Sequence, residues 1–202
     1  MTATLAAPIL GDSGAHRRHR IREFSPTEAR ILTAALALIG RRGVRRLAMQ
    51  EISEAAGVSR GTLYRYFPSR DAVLAAAADF DELRFRAGLD EALKSAAPDE
   101  RIGAFMAYAF DFIRAHPARS LFESEPGFVM SYLLDHLPSL RSELILRLGD
   151  ALDTVPAVAR GELDREQLAD VIVRLFASSW IIPESDDRTL VRSLNRILQI
   201  EA

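Results

Sequence analysis

Met49-Gln50-Glu51-Ile52-Ser53-Glu54-Ala55-Ala56-Gly57-Val58-Ser59-Arg60-Gly61-Thr62-Leu63-Tyr64-Arg65-Tyr66-Phe67 reads as two short helices joined by a tight turn. Ile52 and Ala56 lie four residues apart and face inward on the first helix. Ala55 is small, as a tight helix crossing requires. Gly57 stands at the turn, where a left-handed backbone is cheap only for glycine, and Val58 plugs the space between the helices. Ser59 can accept from the free amides that open the second helix. Leu63 and Phe67 anchor that helix to a core. The face left over carries Arg60, Thr62, Tyr64, Arg65 and Tyr66, which are donors and aromatic hydroxyls with no acid among them. A helix lying in a DNA major groove needs such groups for base edges and phosphate oxygens. The spacing therefore predicts a helix-turn-helix over about residues 47–67. A merely solvated helical hairpin is the alternative, and both the turn chemistry and the acid-free face argue against it.

Upstream, Ser25-Pro26 with Glu28 forms a helix start, with Ser25 as N-cap and Pro26 at the first helical position. Ile31, Leu32, Ala35, Leu36 and Ile39 repeat at helical spacing until Gly40 and Gly43 end the run. Before it lies a basic arm, His16-Arg17-Arg18-His19-Arg20-Ile21-Arg22, expected either to reach DNA phosphates or the minor groove or to be a solvated tail. Residues 1–14 carry little pattern, and disorder is expected there.

Downstream, a long helix is expected over about 70–95 and another over 99–115, the latter ended by His116-Pro117. Short segments follow at 118–123 and 127–136, punctuated by Pro126 and Pro138. Residues 139–152 read as helix, and two final helices as about 163–182 and 186–200. Pro183 separates this last pair, and Ser185, Asp186 and Asp187 suit the start of the second. No period-2 strand pattern appears. The expected fold is all-α, with about nine or ten helices.

The chain has 202 residues and a net charge of −2, but the charge is divided. Residues 1–71 hold 12 basic against 6 acidic side chains, a balance of +6, and the remainder balances at −8. A positive head on a negative body suits a protein that reads a polyanion with one end only. Without cysteine there are no disulfides or thiolate metal sites. The first ten residues lack the basic region of a signal peptide, and no apolar run reaches the length of a membrane span. The expected compartment is the cytoplasm. Enzyme chemistry finds no foothold. Gly11-Asp12-Ser13-Gly14 is similar to a serine-protease nucleophile loop but has no β-sequence around it. His116 and His136 are isolated beside prolines and lie outside any metal-ligand spacing. No cofactor is expected.

The stretch from about Arg30 to Leu74, with its core EISEAAGVSRGTLYRYFPSRDAVL, resembles the TetR family of bacterial regulators. The run Gly57-Val58-Ser59, then Thr62-Leu63-Tyr64, Phe67, Arg70 and Leu74 carries the likeness, over about a quarter of the chain. The resemblance implies a three-helix DNA-binding head, a fourth helix linking it to a larger helical body, and a homodimer on double-stranded operator DNA. It implies a groove position for Gln50 and base or phosphate contacts for Arg60, Gly61, Thr62, Tyr64 and Arg65. Tyr66 and Arg70 would face phosphates. One departure is Ala48, where the family commonly has a capping Thr or Ser. The implied organisation is a tail and arm over 1–24, the DNA-binding domain over 25–70, and a ligand-binding and dimerisation domain over 71–202.

In that body, residues 99–137 are rich in aromatics. Phe105, Tyr108 and Phe112 share one helical face, and with Tyr132 and Trp180 they are candidates to line a pocket for a small, mostly apolar effector. The plainer reading is that most of them are core. The last two helices present apolar faces, Leu168, Ile172, Leu175 and Phe176 on one and Leu190, Leu194 and Ile197 on the other. In the resembling family such a pair forms a four-helix bundle across the dimer. Two recognition helices could then meet successive major grooves about 34–36 Å apart. The function expected is a repressor released by its effector. The alternatives are a helical protein-interaction module, or a regulator without a small-molecule ligand.

Overall fold

The computed structural model describes residues 23–181 together with Thr189, Arg192, Ser193 and Arg196; the side chains of Phe122, Asp135, His136, Trp180 and Ile181 fall outside that description. The regular structure of the described residues is all helical, without strands. They divide into two compact units after Arg84, inside the longest helix. The basic arm, Leu190, Leu194 and Ile197 lie outside the described residues.

In the first unit, α1 spans Pro26–Arg42, α2 Met49–Ala55 and α3 Arg60–Tyr66, and α4 begins at Arg70. The start of α1 has the expected reciprocal cap. Glu28 N donates to Ser25 Oγ at 3.3 Å, and Ser25 N donates to Glu28 Oε2 at 2.9 Å. The helix runs through Gly40 and ends at Gly43, whose φ of 83° places it where a side chain would be strained. Ile31, Leu32, Ala35, Leu36 and Ile39 are buried as their spacing predicts. Leu63, Phe67, Val73 and Leu74 complete the core. Phe24 meets Phe80 edge-on at 5.4 Å, tying the entry to α1 onto α4.

The α2–α3 crossing differs from expectation in one residue. Ala55 is exposed, and the buried residues of α2 are Ile52 and Ser53, with Ala56 just beyond its end. One residue turns a helix by about 100°, so the residue beside Ala56 points to water. Ser53 tolerates burial because its Oγ donates back to the Gln50 carbonyl at 2.7 Å.

The second unit contains the end of α4, which reaches Lys94, then α5 (Arg101–Ala115), α6 (Leu121–Ser124), α7 (Pro126–Leu148), α8 (Pro156–Ala159) and α9 (Arg165–Ile181). Short 3-10 helices, Pro117–Ser120 and Gly149–Thr154, precede α6 and α8. His116 Nδ1 accepts from Ala118 N at 3.1 Å, so this histidine caps the turn opened by Pro117. Asp164 and Gln167 form a reciprocal cap at α9, with bonds of 2.7 and 2.9 Å.

Pro138 was expected to punctuate the chain, but it lies inside α7. Its ring removes the amide that would bond the Leu134 carbonyl. Leu134 is 63% exposed, so water can reach that turn and satisfy the oxygen.

A second correction concerns α9. Leu168 and Ile172 are fully buried inside the protomer, against Leu144, Leu148 and Leu152 among others. Leu175 and Phe176 are half-buried and pack on the same core. The sequence shows that this stripe is apolar, but not which neighbour covers it. Its own chain covers it here, and Val171 and Arg174 point outward.

Candidate nucleic-acid interface

The turn between α2 and α3 is built from backbone bonds. Gly57, at φ 61°, sends its N–H to the Glu54 carbonyl at 3.1 Å, and Val58 N donates to the Ser53 carbonyl at 3.0 Å. This pairing closes the C-terminus of α2 and turns the chain sharply. Arg30 of α1 adds a clamp, its Nη2 lying 3.0 Å from the Ala56 carbonyl and 3.2 Å from that of Gly57. Sequence reading missed Arg30, because nothing in its spacing shows that a residue 26 positions away will need a donor. Arg42 pairs with Glu51, fastening the last turn of α1 to the first turn of α2.

On α3, Ser59 caps as expected, with Thr62 N donating to its Oγ at 3.0 Å. Thr62 Oγ1 lies 2.9 Å from the same oxygen, so its hydroxyl belongs to the cap as well as to the outer face. Arg60, Gly61, Tyr64 and Arg65 are exposed; Tyr64 retains 49% of its surface, a large fraction for an aromatic ring. Arg65 stacks its guanidinium over the half-buried Tyr66 ring, 5.3 Å from the ring centre. A Cβ at Gly61 would meet only Ser59 Oγ, at an ordinary 3.8 Å. Nothing within the protomer demands glycine there.

Gln50 of α2 faces α3, accepting from Arg60 Nη2 at 3.0 Å and donating to Glu54 Oε1 at 2.9 Å. Glu54 was not singled out in the sequence, although its i,i+4 relation to Gln50 is a readable signal. Arg70 donates to the Arg45 carbonyl at 3.4 Å and pairs with Asp71 at 3.5 Å. Gln50, Arg60, Gly61, Thr62, Tyr64, Arg65 and Tyr66 thus gather on α2 and α3. Arg70 instead stands at the start of α4, beside the turn that precedes α2.

The expected pocket residues, all in the second unit, are brought together in part. Phe85 lies at the centre of an aromatic cluster, 5.5 Å from Tyr108, 5.1 Å from Phe112 and 6.2 Å from Phe176 between ring centres. A cavity of about 20 Å³ lies against Phe85, Phe105, Glu143, Ile172 and Phe176. Phe105 lines it directly. Tyr108 and Phe112 belong to the cluster and do not line the cavity, nor does the half-buried Tyr132. Glu143 is the one charged group on its wall, held by Arg147 at 2.6 Å and Arg86 at 3.4 Å. Among the described residues, no cluster of His, Asp and Glu side chains could hold a metal, and no helix is long and apolar enough to cross a membrane.

Comparison with known proteins gives this geometry a lineage. The sequence pattern of "Bacterial regulatory proteins, tetR family" matches residues 31–77. An uncharacterized HTH-type transcriptional regulator of Mycobacterium tuberculosis is 31% identical over 173 residues, covering 80% of each chain. The chain belongs to the TetR family. It is a DNA-binding transcriptional regulator and not an enzyme. The regulator EthR of Mycolicibacterium smegmatis is 32% identical over 143 residues, which is 65% of this chain and 66% of the relative. The fatty acid degradation regulator FadR from Bacillus halodurans shares the fold, with a TM-score of 0.64 and 20% identity over 88% of this chain and 96% of its own. TetR-family regulators bind operator DNA, typically as dimers.

Proposed function

We propose that this TetR-family chain is a repressor that lays α3 in the major groove of its operator and leaves the DNA when a small, mostly apolar effector enters the second unit. The observation that carries the first half is the outer face of α3, where Arg60, Tyr64 and Arg65 stand exposed around a capped, clamped turn. The homodimer would set two such helices on successive grooves. Similarity to the repressor KstR of Rhodococcus jostii, 39% identical over 80 residues, supports repression; the match covers 38% of this chain and 34% of that protein. With Leu168 and Ile172 buried in the protomer, the contribution of α9 to a dimer would come from its outward side, around Val171 and Arg174.

For the second half, the cluster around Phe85 supplies aromatic walls, and Phe105 and Phe176 flank the cavity. A volume of about 20 Å³ holds about one water, so an effector would have to displace side chains as it enters. Binding would favour a body conformation unsuited to the operator, by no more than the ligand's preference for that state. The small cavity also favours a second reading, a regulator without a small-molecule ligand.

The test of the groove assignment is operator affinity. Tyr64→Ala and Arg65→Ala should each weaken binding by about 1–3 kcal/mol. Unchanged gel-shift affinity for both variants would remove α3 from the groove.

A further inference from the structure

We infer that Glu54 is a positioning residue for Arg60, and through it for base discrimination; this rests on the reading that α3 enters the groove. Glu54, Gln50 and Arg60 are exposed and linked in series, Glu54 Oε1 accepting from Gln50 Nε2 at 2.9 Å and Gln50 Oε1 accepting from Arg60 Nη2 at 3.0 Å. A side-chain amide can take either of two orientations. Here a carboxylate stands at one end and can only accept, while a guanidinium stands at the other and can only donate. The reversed amide would set oxygen against oxygen and N–H against N–H. The two charges therefore select one orientation, and that orientation offers Arg60 an acceptor.

One of the five guanidinium donors is engaged in this way. The others remain for a base edge, where arginine pairs with O6 and N7 of guanine. A side chain held in place before contact loses less freedom on binding. The carboxylate also has an opposite effect, because it repels phosphates whatever their sequence. Glu54 thus weakens binding to all DNA while sharpening the choice among sequences.

The experiment uses the full chain as wild type, Glu54→Ala, Glu54→Gln and Arg60→Ala. The probes are a duplex enriched from a random pool by the wild-type protein and a scrambled duplex of the same composition, titrated over a salt series. Glu54→Ala is expected to bind the scrambled duplex about two- to fivefold more tightly. Its ratio of enriched to scrambled affinity is expected to fall about three- to tenfold. Glu54→Gln should also gain scrambled affinity but keep more of the ratio, since its oxygen can still accept from Gln50. The inference is overturned by a wild-type ratio in Glu54→Ala, by parallel weakening on both duplexes, or by Glu54→Gln falling as far as Glu54→Ala. Arg60→Ala separates the two levels. If it keeps the wild-type ratio, Arg60 does not discriminate bases and the inference fails there, while Tyr64→Ala and Arg65→Ala decide the groove reading. If it loses the ratio while Glu54→Ala keeps it, only the role of Glu54 fails.

Discussion

Ala48 precedes α2 with φ −112° and ψ 137°, the extended conformation of an N-cap, yet it offers no side-chain acceptor. The backbone is already arranged for a cap that the residue does not supply. Ala48→Ser should therefore stabilise the protein by about 0.5–1 kcal/mol. Urea unfolding would read this as a higher midpoint at unchanged slope; a midpoint at or below wild type would mean that the amides at the start of α2 are already satisfied. Capping is the part of this structure most open to sequence reading. Ser25, Ser59 and the gap at Ala48 all stand as their local chemistry predicts, because a cap involves residues three positions apart. Arg30 and Glu54 were not singled out: the clamp of Arg30 depends on where a distant turn arrives, and the value of Glu54 depends on α3 bringing Arg60 to Gln50.

Among elements, the close approach of α5 to the end of α4 turns on one glycine. A Cβ at Gly88 would lie 2.6 Å from Tyr108 Cζ and 2.8 Å from Cε2, distances that real Cβ atoms do not tolerate. Tyr108 cannot yield freely, since its ring packs against both Phe85 and Phe112. Gly88→Ala gains about 1 kcal/mol of helix propensity but forces this ring out, at about 1–3 kcal/mol. The expected sign is net destabilisation in wild type and stabilisation by about 1 kcal/mol in a Tyr108→Ala background, where only propensity remains. A double-mutant cycle by chemical denaturation measures both; the same sign in both backgrounds would dissociate Gly88 from Tyr108. Pro138 and the α9 stripe belong to this scale too. A proline reads as a stop when its neighbours are unknown, and Leu168 reads as an interface when its covering helix is unknown.

For the whole molecule, the proposed effector response obeys linkage. A compound that lowers operator affinity by a given factor must itself bind the operator complex more weakly by the same factor. Calorimetric titration of a mostly apolar compound into free and DNA-bound protein should show matching ratios, with a raised melting temperature in the free form. If no such compound shifts either quantity, the regulator without a ligand stands. α4 spans Arg70–Lys94 and belongs in part to each unit, which makes it the element through which such a response would pass.

By itself the sequence determined the all-α class, the helix-turn-helix and the residues that α3 displays. Each of these follows from short-range physics: helical periodicity, caps within one turn, and a glycine at a positive φ. The charge division is likewise a property of composition. Only the tertiary structure decided that Ser53, not Ala55, joins Ile52 and Ala56 at the crossing, that α7 runs through Pro138, and that Leu168 and Ile172 face their own core. It also brought Glu54 and Gln50 to Arg60. These outcomes depend on which surfaces meet, and an apolar or polar side chain carries no record of its partner until the chain has folded. The helix-turn-helix that a 19-residue reading predicts is therefore present, held by a clamp and a hydrogen-bonded series that only the packed helices disclose.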